Sequence, residues 1–130
     1  MLRTYYSLEI GDVIWAKSNN IGKHIFIICN LNTEGSYECL PSVNLSSNCS
    51  NCEDCCISIS GIDIPNDWFK IKKETSYIRI DNPICLNKDE YSPTSYSYKG
   101  NLKKCYPDLW DKICTYDAPI TSEICECIYD

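Results

Sequence analysis

Four cysteines crowd one segment of the chain, as Cys49-x-x-Cys52-x-x-Cys55-Cys56. Thiolates at this spacing can share a tetrahedral zinc ion at about 2.3 Å, wrapped by the loop that carries them. A regular structural zinc site pairs one short cysteine motif with a second elsewhere; here Cys125-x-Cys127, Cys85 or Cys105 would have to supply it. Iron–sulfur ligation uses a similar spacing with a distant fourth cysteine. Three states stay open for Cys49, Cys52, Cys55 and Cys56: a structural zinc site, disulfides, or unligated thiols.

His24 is the only histidine. A histidine can serve as a general base near neutral pH, but a lone one at the head of an apolar strand is more often structural than catalytic. A single histidine excludes chemistry that needs two, including His-Glu-x-x-His zinc hydrolases. The chain has neither a Gly-x-Ser-x-Gly nucleophile elbow nor a glycine-rich phosphate loop. A cysteine–histidine nucleophilic pair, as in a papain-like amidase, remains as an alternative whose cysteine the sequence does not place. Asn44-Leu45-Ser46 and Asn48-Cys49-Ser50 match glycosylation sequons, which matter only in a secreted chain.

Short strands must position these residues. Asp12 to Lys17 is β-branched and aromatic, with Gly11 as a turn residue before it. His24 to Cys29 is apolar at successive positions, as expected for a central strand buried on both faces. Tyr37 to Leu40 predicts a third strand, ended or moved to an edge by Pro41. Ser42 to Asp54 reads as the longest loop, where function tends to sit. Cys55 to Ser60 and Ser76 to Ile80 alternate like strands, with Tyr77 and Arg79 on one face. Tyr91 to Gly100 reads as loop. Pro107 and Asp108 open a helix with Leu109, Trp110, Ile113 and Cys114 on one stripe. A last short helix follows, capped by Thr121 or Ser122 and carrying Ile124, Cys125 and Ile128. No connection is long enough for helical crossovers, so the sheet must be antiparallel.

The 130 residues predict one domain, 1–130, large enough for a real core. At 44% hydrophobic the chain is not disordered, and no apolar run approaches the ~20 residues that span a bilayer. No membrane partner is expected. The formal net charge of −6 argues against general attraction to nucleic acid or anionic lipid. Lys70, Lys72, Lys73 and Arg79 nevertheless cluster around a single Glu74, and Lys99, Lys103 and Lys104 form a second basic group. Eleven cysteines are an odd count, and Met1 to Ile10 lack the apolar stretch of a secretory signal. The expectation is a reducing, cytoplasmic setting with most cysteines as free, buried thiols, Cys29, Cys39, Cys114 and Cys125 among them.

Gly11-Asp12-Val13-Ile14-Trp15-Ala16-Lys17 followed by Lys23-His24-Ile25-Phe26-Ile27-Ile28-Cys29 resembles the opening of the PemK/MazF toxin family. Glu38 to Asn44 stands where that family has its third strand and a polar loop. Ile64 to Trp68, Lys73 to Arg79, Tyr98 to Leu102 and Leu109 to Ile113 resemble its later segments in order. The resemblance covers nearly the whole chain, through motifs that are individually weak.

The resemblance implies a mainly β fold, a small SH3-like antiparallel barrel with short C-terminal helices, commonly dimeric. It also implies an endoribonuclease toxin of a toxin–antitoxin system, which cleaves single-stranded RNA without a metal and requires no cofactor. An antitoxin peptide would occupy the RNA groove. In the family, an Arg opening the second strand and a hydroxyl residue after the third carry catalysis. Lys23 and His24 stand at the first place and Ser42, Asn44 or Ser46 at the second. Lys23, His24, Ser42 and Ser46 are thus the candidate catalytic residues, and Asn44, Lys70, Lys72, Lys73 and Arg79 the candidate RNA contacts. A lysine clamps phosphate less well than an arginine. That departure keeps a non-catalytic barrel module, binding a protein or nucleic acid, as the alternative.

Overall fold

The structure, a computed structural model, describes residues 3–31, 39–46, 56–65, 68 and 76–115. Six strands, β1 (Asp12–Ser18), β2 (Gly22–Ile28), β3 (Cys39–Ser46), β4 (Cys56–Ser58), β5 (Tyr77–Asn87) and β6 (Tyr98–Asn101), form one sheet in the order β4-β5-β3-β2-β1-β6. Every pairing is antiparallel, as the short connections require. The mainly β fold class expected from the sequence is the one observed. Among the described residues no ladder joins β4 to β6, the two ends of the order. Two short helices follow, α1 (Leu102–Cys105) and α2 (Pro107–Thr115).

Alternation along the strands sorts the apolar residues onto two sheet faces. Val13, Ile25, Ile27, Val43, Leu45, Ile57 and Ile78 face one way and pack with Trp68 and α2 residues Leu109, Trp110 and Ile113. That α2 stripe is the one its sequence periodicity predicts. Ile14, Ala16, Phe26, Ile28, Leu40, Ile84 and Leu86 face the other way, covered by Tyr5 and Leu8 of the N-terminal segment and by Tyr91. Tyr5 Oη donates to Leu86 O at 3.0 Å, and Tyr91 Oη donates to Arg3 O at 2.6 Å, pinning that cover down.

Strand β5 serves both faces. From Ser42↔Ile84 to Asn44↔Arg79, β3 advances two residues while β5 covers five, so three residues of β5 have no counterpart. An odd insertion reverses which side chains face which way. Ile78 and Ile80 therefore join the helix-covered core while Ile84 and Leu86, of the same parity, join the other. Pro83 falls in this interruption, where its missing N–H breaks no ladder bond.

Gly11 and Asp12 form a junction between β1 and the chain's later elements. Gly11 has φ +91°, and a Cβ there would press on the backbone and side chain of Lys103. Its N–H donates to Ile28 O at 2.7 Å, and its carbonyl accepts from Leu102 N at 2.7 Å. The Asp12 carboxylate is fully buried. It accepts from Glu9 N at 2.8 Å and Asn101 Nδ2 at 2.9 Å, with Arg3 Nη1 at 3.5 Å. Burial pushes this carboxyl above its ordinary pKa, against the pull of these donors. Asn101 also donates to Ile10 O at 3.0 Å and caps α1 by accepting from Lys104 N at 2.9 Å.

Two loop expectations are corrected. Strand β3 does not end at Pro41 but runs on through Ser46 as an interior strand between β2 and β5. Pro41 is tolerated because its ring nitrogen faces the β2 side, where the ladder has already ended at Ile28↔Ser42; its carbonyl there accepts from Cys29 N at 2.8 Å. The stretch from Tyr91 to Gly100 is not all loop, since β6 begins at Tyr98 and pairs with β1. The final helix expected near Thr121 to Ile128 lies outside the described residues.

The expectation of mostly free thiols is also corrected. Cys39 and Cys85 form a disulfide, with Cα atoms 5.2 Å apart. The register explains it: Pro41↔Cys85 and Cys39↔Asn87 make the two cysteines diagonal neighbours on one face. Cys56 and Cys114 are disulfide-bonded as well. Among the described residues, Cys29, which is buried, and Cys105, which is exposed, are free. Cys29, Cys39 and Cys114 do occupy buried positions, as their apolar settings suggest.

Candidate nucleic-acid interface

The sheet register determines which candidate residues can meet. Directly paired residues point to the same side, so Phe26↔Asn44, Asn44↔Arg79, Cys56↔Arg79 and Ile14↔Phe26 define one row across five strands. A second row runs Ser58↔Tyr77↔Ser46 and Ala16↔His24. The β2–β3 ladder ends at Phe26↔Asn44, so His24 and Ser46 share that face by alternation but lie beyond the last pair. Both rows lie on the face opposite α2. That face is apolar under the N-terminal segment and polar beyond it, where His24, Asn44, Ser46, Tyr77 and Arg79 gather.

Lys23 does not join them. Neighbours along a strand point to opposite faces, so Lys23 and His24 cannot serve one site from β2. Lys23 pairs with Lys17, and both are exposed. The family resemblance set both at one catalytic place, whereas the pleat turns their side chains to opposite faces.

His24 is half-buried, its ring edge-on to Phe26 at 6.4 Å between centroids. Its Nδ1 is buried without a hydrogen-bond partner. Ser42 is fully buried, and its Oγ donates to Leu40 O at 2.8 Å. A hydroxyl so placed is satisfied on its own strand and has no exposed surface, and the loop expected from Ser42 onward is strand as far as Ser46. Asn44 is 6% exposed, and its Nδ2 donates to Leu45 O at 3.1 Å. It stands beside Arg79 across the β3–β5 ladder. Ser46 and Arg79 are half-buried and are the candidates of β3 and β5 that retain surface on this face.

Arg79 and His24 supply this pair of rows with its titratable nitrogen groups, and no Asp or Glu stands in either row. Lys70, Lys72 and Lys73 lie outside the described residues. Tyr77 was not among the candidates. Its alternation with Arg79 was visible in sequence, but its pairing with Ser46 was not.

Of the cysteine cluster, Cys49, Cys52 and Cys55 lie outside the described residues. Cys56 is disulfide-bonded, and a disulfide sulfur offers no thiolate to a metal. Among the described residues no group of three or more His, Cys, Asp or Glu side chains is placed to hold a metal ion. A papain-like pair also lacks its nucleophile there: Cys29 packs in the core on the far side of the sheet from His24. Cys105 lines a cleft of about 320 Å³ beside α2, with Ile62, Tyr106 and Leu109, again away from His24. No helix among the described residues is long and apolar enough to cross a membrane.

Comparison with protein-family models, with curated proteins and with solved structures gives no match for this chain.

Proposed function

We propose that this chain binds single-stranded RNA on the sheet face bearing His24 and Arg79 and cleaves it without a metal. One observation carries the reading: β2, β3 and β5 turn His24, Ser46 and Arg79 to one face of the sheet. The resemblance of the N-terminal segment to PemK/MazF toxins agrees with it. In this scheme His24 takes the proton of a ribose 2′-hydroxyl as that oxygen attacks the adjacent phosphorus. The bond from phosphorus to the 5′-oxygen breaks, and the leaving oxygen is protonated from solvent. The products are a 2′,3′-cyclic phosphate and a 5′-hydroxyl. Arg79, not Lys23, neutralises the charge that grows on the phosphoryl oxygens, a task its planar guanidinium suits. A peptide antitoxin would act by covering the same face, and a homodimer would present two copies of it.

Incubating the purified protein with single-stranded RNA in the presence of EDTA tests the reading. Cyclic-phosphate ends that disappear with His24→Ala support it; RNA that stays both intact and unbound ends it.

The disulfides favour a second reading, a binding module braced by cross-links. Cys39–Cys85 and the bonded Cys56 and Cys114 belong in an oxidising compartment more readily than in cytoplasm. Cytoplasmic location goes with the toxin reading, and counting free thiols in protein isolated under native, alkylating conditions separates the two.

A further inference from the structure

We propose that the N-terminal segment from Arg3 to Leu8 is an exchangeable strap over a peptide-binding groove. The groove's other occupant is a linear peptide of another protein, with an aromatic and an aliphatic side chain three residues apart. This goes beyond the RNA reading and does not depend on it.

What the groove accepts is visible because the strap fills it. Tyr5 opens a single 3-10 turn, Tyr5–Ser7, and Leu8 follows it. Both side chains are buried and cluster with Ile14, Phe26, Ile28, Ile84 and Leu86 of three strands. The strap is not part of the sheet: among the described residues it joins no strand ladder. Its backbone bonds from Ser7 N to Thr4 O, 3.0 Å, and from Leu8 N to Tyr5 O, 3.5 Å, stay within it. It can therefore leave without breaking a strand pairing. One helical turn is not stable by itself, so the side chains hold the strap in place.

Arg3 is the clasp. Its Nη1 donates to Glu9 Oε2 at 3.0 Å and lies 3.5 Å from Asp12 Oδ2. Its guanidinium sits 4.4 Å from the centroid of the Tyr98 ring, and its carbonyl accepts from Tyr91 Oη at 2.6 Å. The Arg3 and Glu9 side chains are 23% and 48% exposed, so water and salt screen that ion pair. Arg3 Nε is buried with no hydrogen-bond partner, a cost that a competing peptide need not carry. From Glu9 onward the chain is fixed: Glu9 N donates to Asp12, Asn101 Nδ2 to Ile10 O, and Leu102 N to Gly11 O. The pivot thus falls between Leu8 and Glu9. Lifting the strap bares Phe26, whose ring stands edge-on to His24 at 6.4 Å.

The test has two arms. In native-state hydrogen exchange on the wild type, the amides of Tyr6 to Leu8 should exchange through a local opening, at least about 10-fold faster than those of Ile25 to Ile27. Arg3→Ala should speed them about 10-fold further and leave Ile25 to Ile27 unchanged. In the second arm a labelled peptide of the sequence Arg3 to Ile10 is titrated by fluorescence anisotropy. It should bind Arg3→Ala and Tyr5→Ala/Leu8→Ala, and bind the wild type at least about 10-fold more weakly, because there the strap competes. The same peptide with both anchors changed to alanine should bind none of them. Thermal melts check that the variants fold, and Arg3→Ala keeps both apolar anchors if the double variant does not. If Tyr6 to Leu8 exchange only in step with Ile25 to Ile27, the strap is a fixed part of the core and the proposal fails. It fails equally if the peptide binds neither variant, or if the alanine peptide binds as well. If the wild type dimerises and the peptide dissolves the dimer, the groove takes the strap of a second copy, and the assignment to another protein is overturned.

Discussion

Asn44 and Arg79 stand opposite each other on β3 and β5, the first ladder pair beyond the three unmatched residues of β5. Asn44 is buried and bonded to its own strand, while Arg79 keeps part of its surface. The interruption in β5 sets this pairing. Without the odd insertion Arg79 would turn to the face covered by α2, away from Ile84, Leu86 and His24.

The opposite faces of Lys23 and His24 give the sharpest contrast in activity. His24→Ala should lower RNA cleavage about 100-fold or more, the usual contribution of a general base. Arg79→Ala should lower both binding and cleavage, while Lys23→Ala should leave both near wild type. Cleavage assays on the three variants check this, and equal losses from Lys23→Ala and Arg79→Ala would contradict the assignment.

Glu90 should govern acid stability. Burial pushes its carboxyl up, but hydrogen bonds from the Asn87 and Asn19 N–H groups and from Ser18 outweigh that and hold it below its ordinary value. The bonds are short, 2.8 Å from Asn87 N and 2.6 Å from Asn19 N. A depressed folded-state pKa contributes stability that is present above the unfolded value of about 4.3 and is lost as pH falls through the folded one. Glu90→Gln should cost about 2 kcal/mol at neutral pH and flatten the acid limb of a urea-denaturation profile.

Asp12 carries the opposite sign. Its folded-state pKa is raised, so its titration adds stability as pH falls from above that pKa towards the unfolded value of about 3.9. Asp12→Ala should cost about 3 kcal/mol at neutral pH, because Arg3, Asn101 Nδ2 and Glu9 N lose a buried acceptor together. The wild type should also gain stability relative to this variant on mild acidification, read from chemical denaturation at a series of pH values.

Gly11→Ala should destabilise by about 2 kcal/mol or more, through the positive φ and the crowding against Lys103. A thermal melt suffices, with Gly22→Ala as the comparison: Gly22 has φ +84° and open space around it, so it meets only the backbone term.

Reducing Cys39–Cys85, which closes a loop of 46 residues in sequence separation, should cost about 2–4 kcal/mol. Denaturation with and without reductant, set beside Cys39→Ser/Cys85→Ser, isolates this bridge from those at Cys56 and Cys114.

What the sequence disclosed was local. The run Ile25 to Cys29 and the stripe Leu109, Trp110, Ile113 and Cys114 declare their burial within a few residues, and both are buried as expected. Strand β3 was hidden because Ser42 and Asn44 look like loop residues; in the fold each satisfies its polar group on its own strand. His24 was visible as the lone histidine. Its partners were not, since they follow from pairing between distant strands and from an irregularity inside β5 that no local pattern marks. The family resemblance also favoured Lys23, which the pleat turns to the other face.

Because β5 passes from one core to the other, neither core can loosen alone without pulling on the strand that anchors its counterpart.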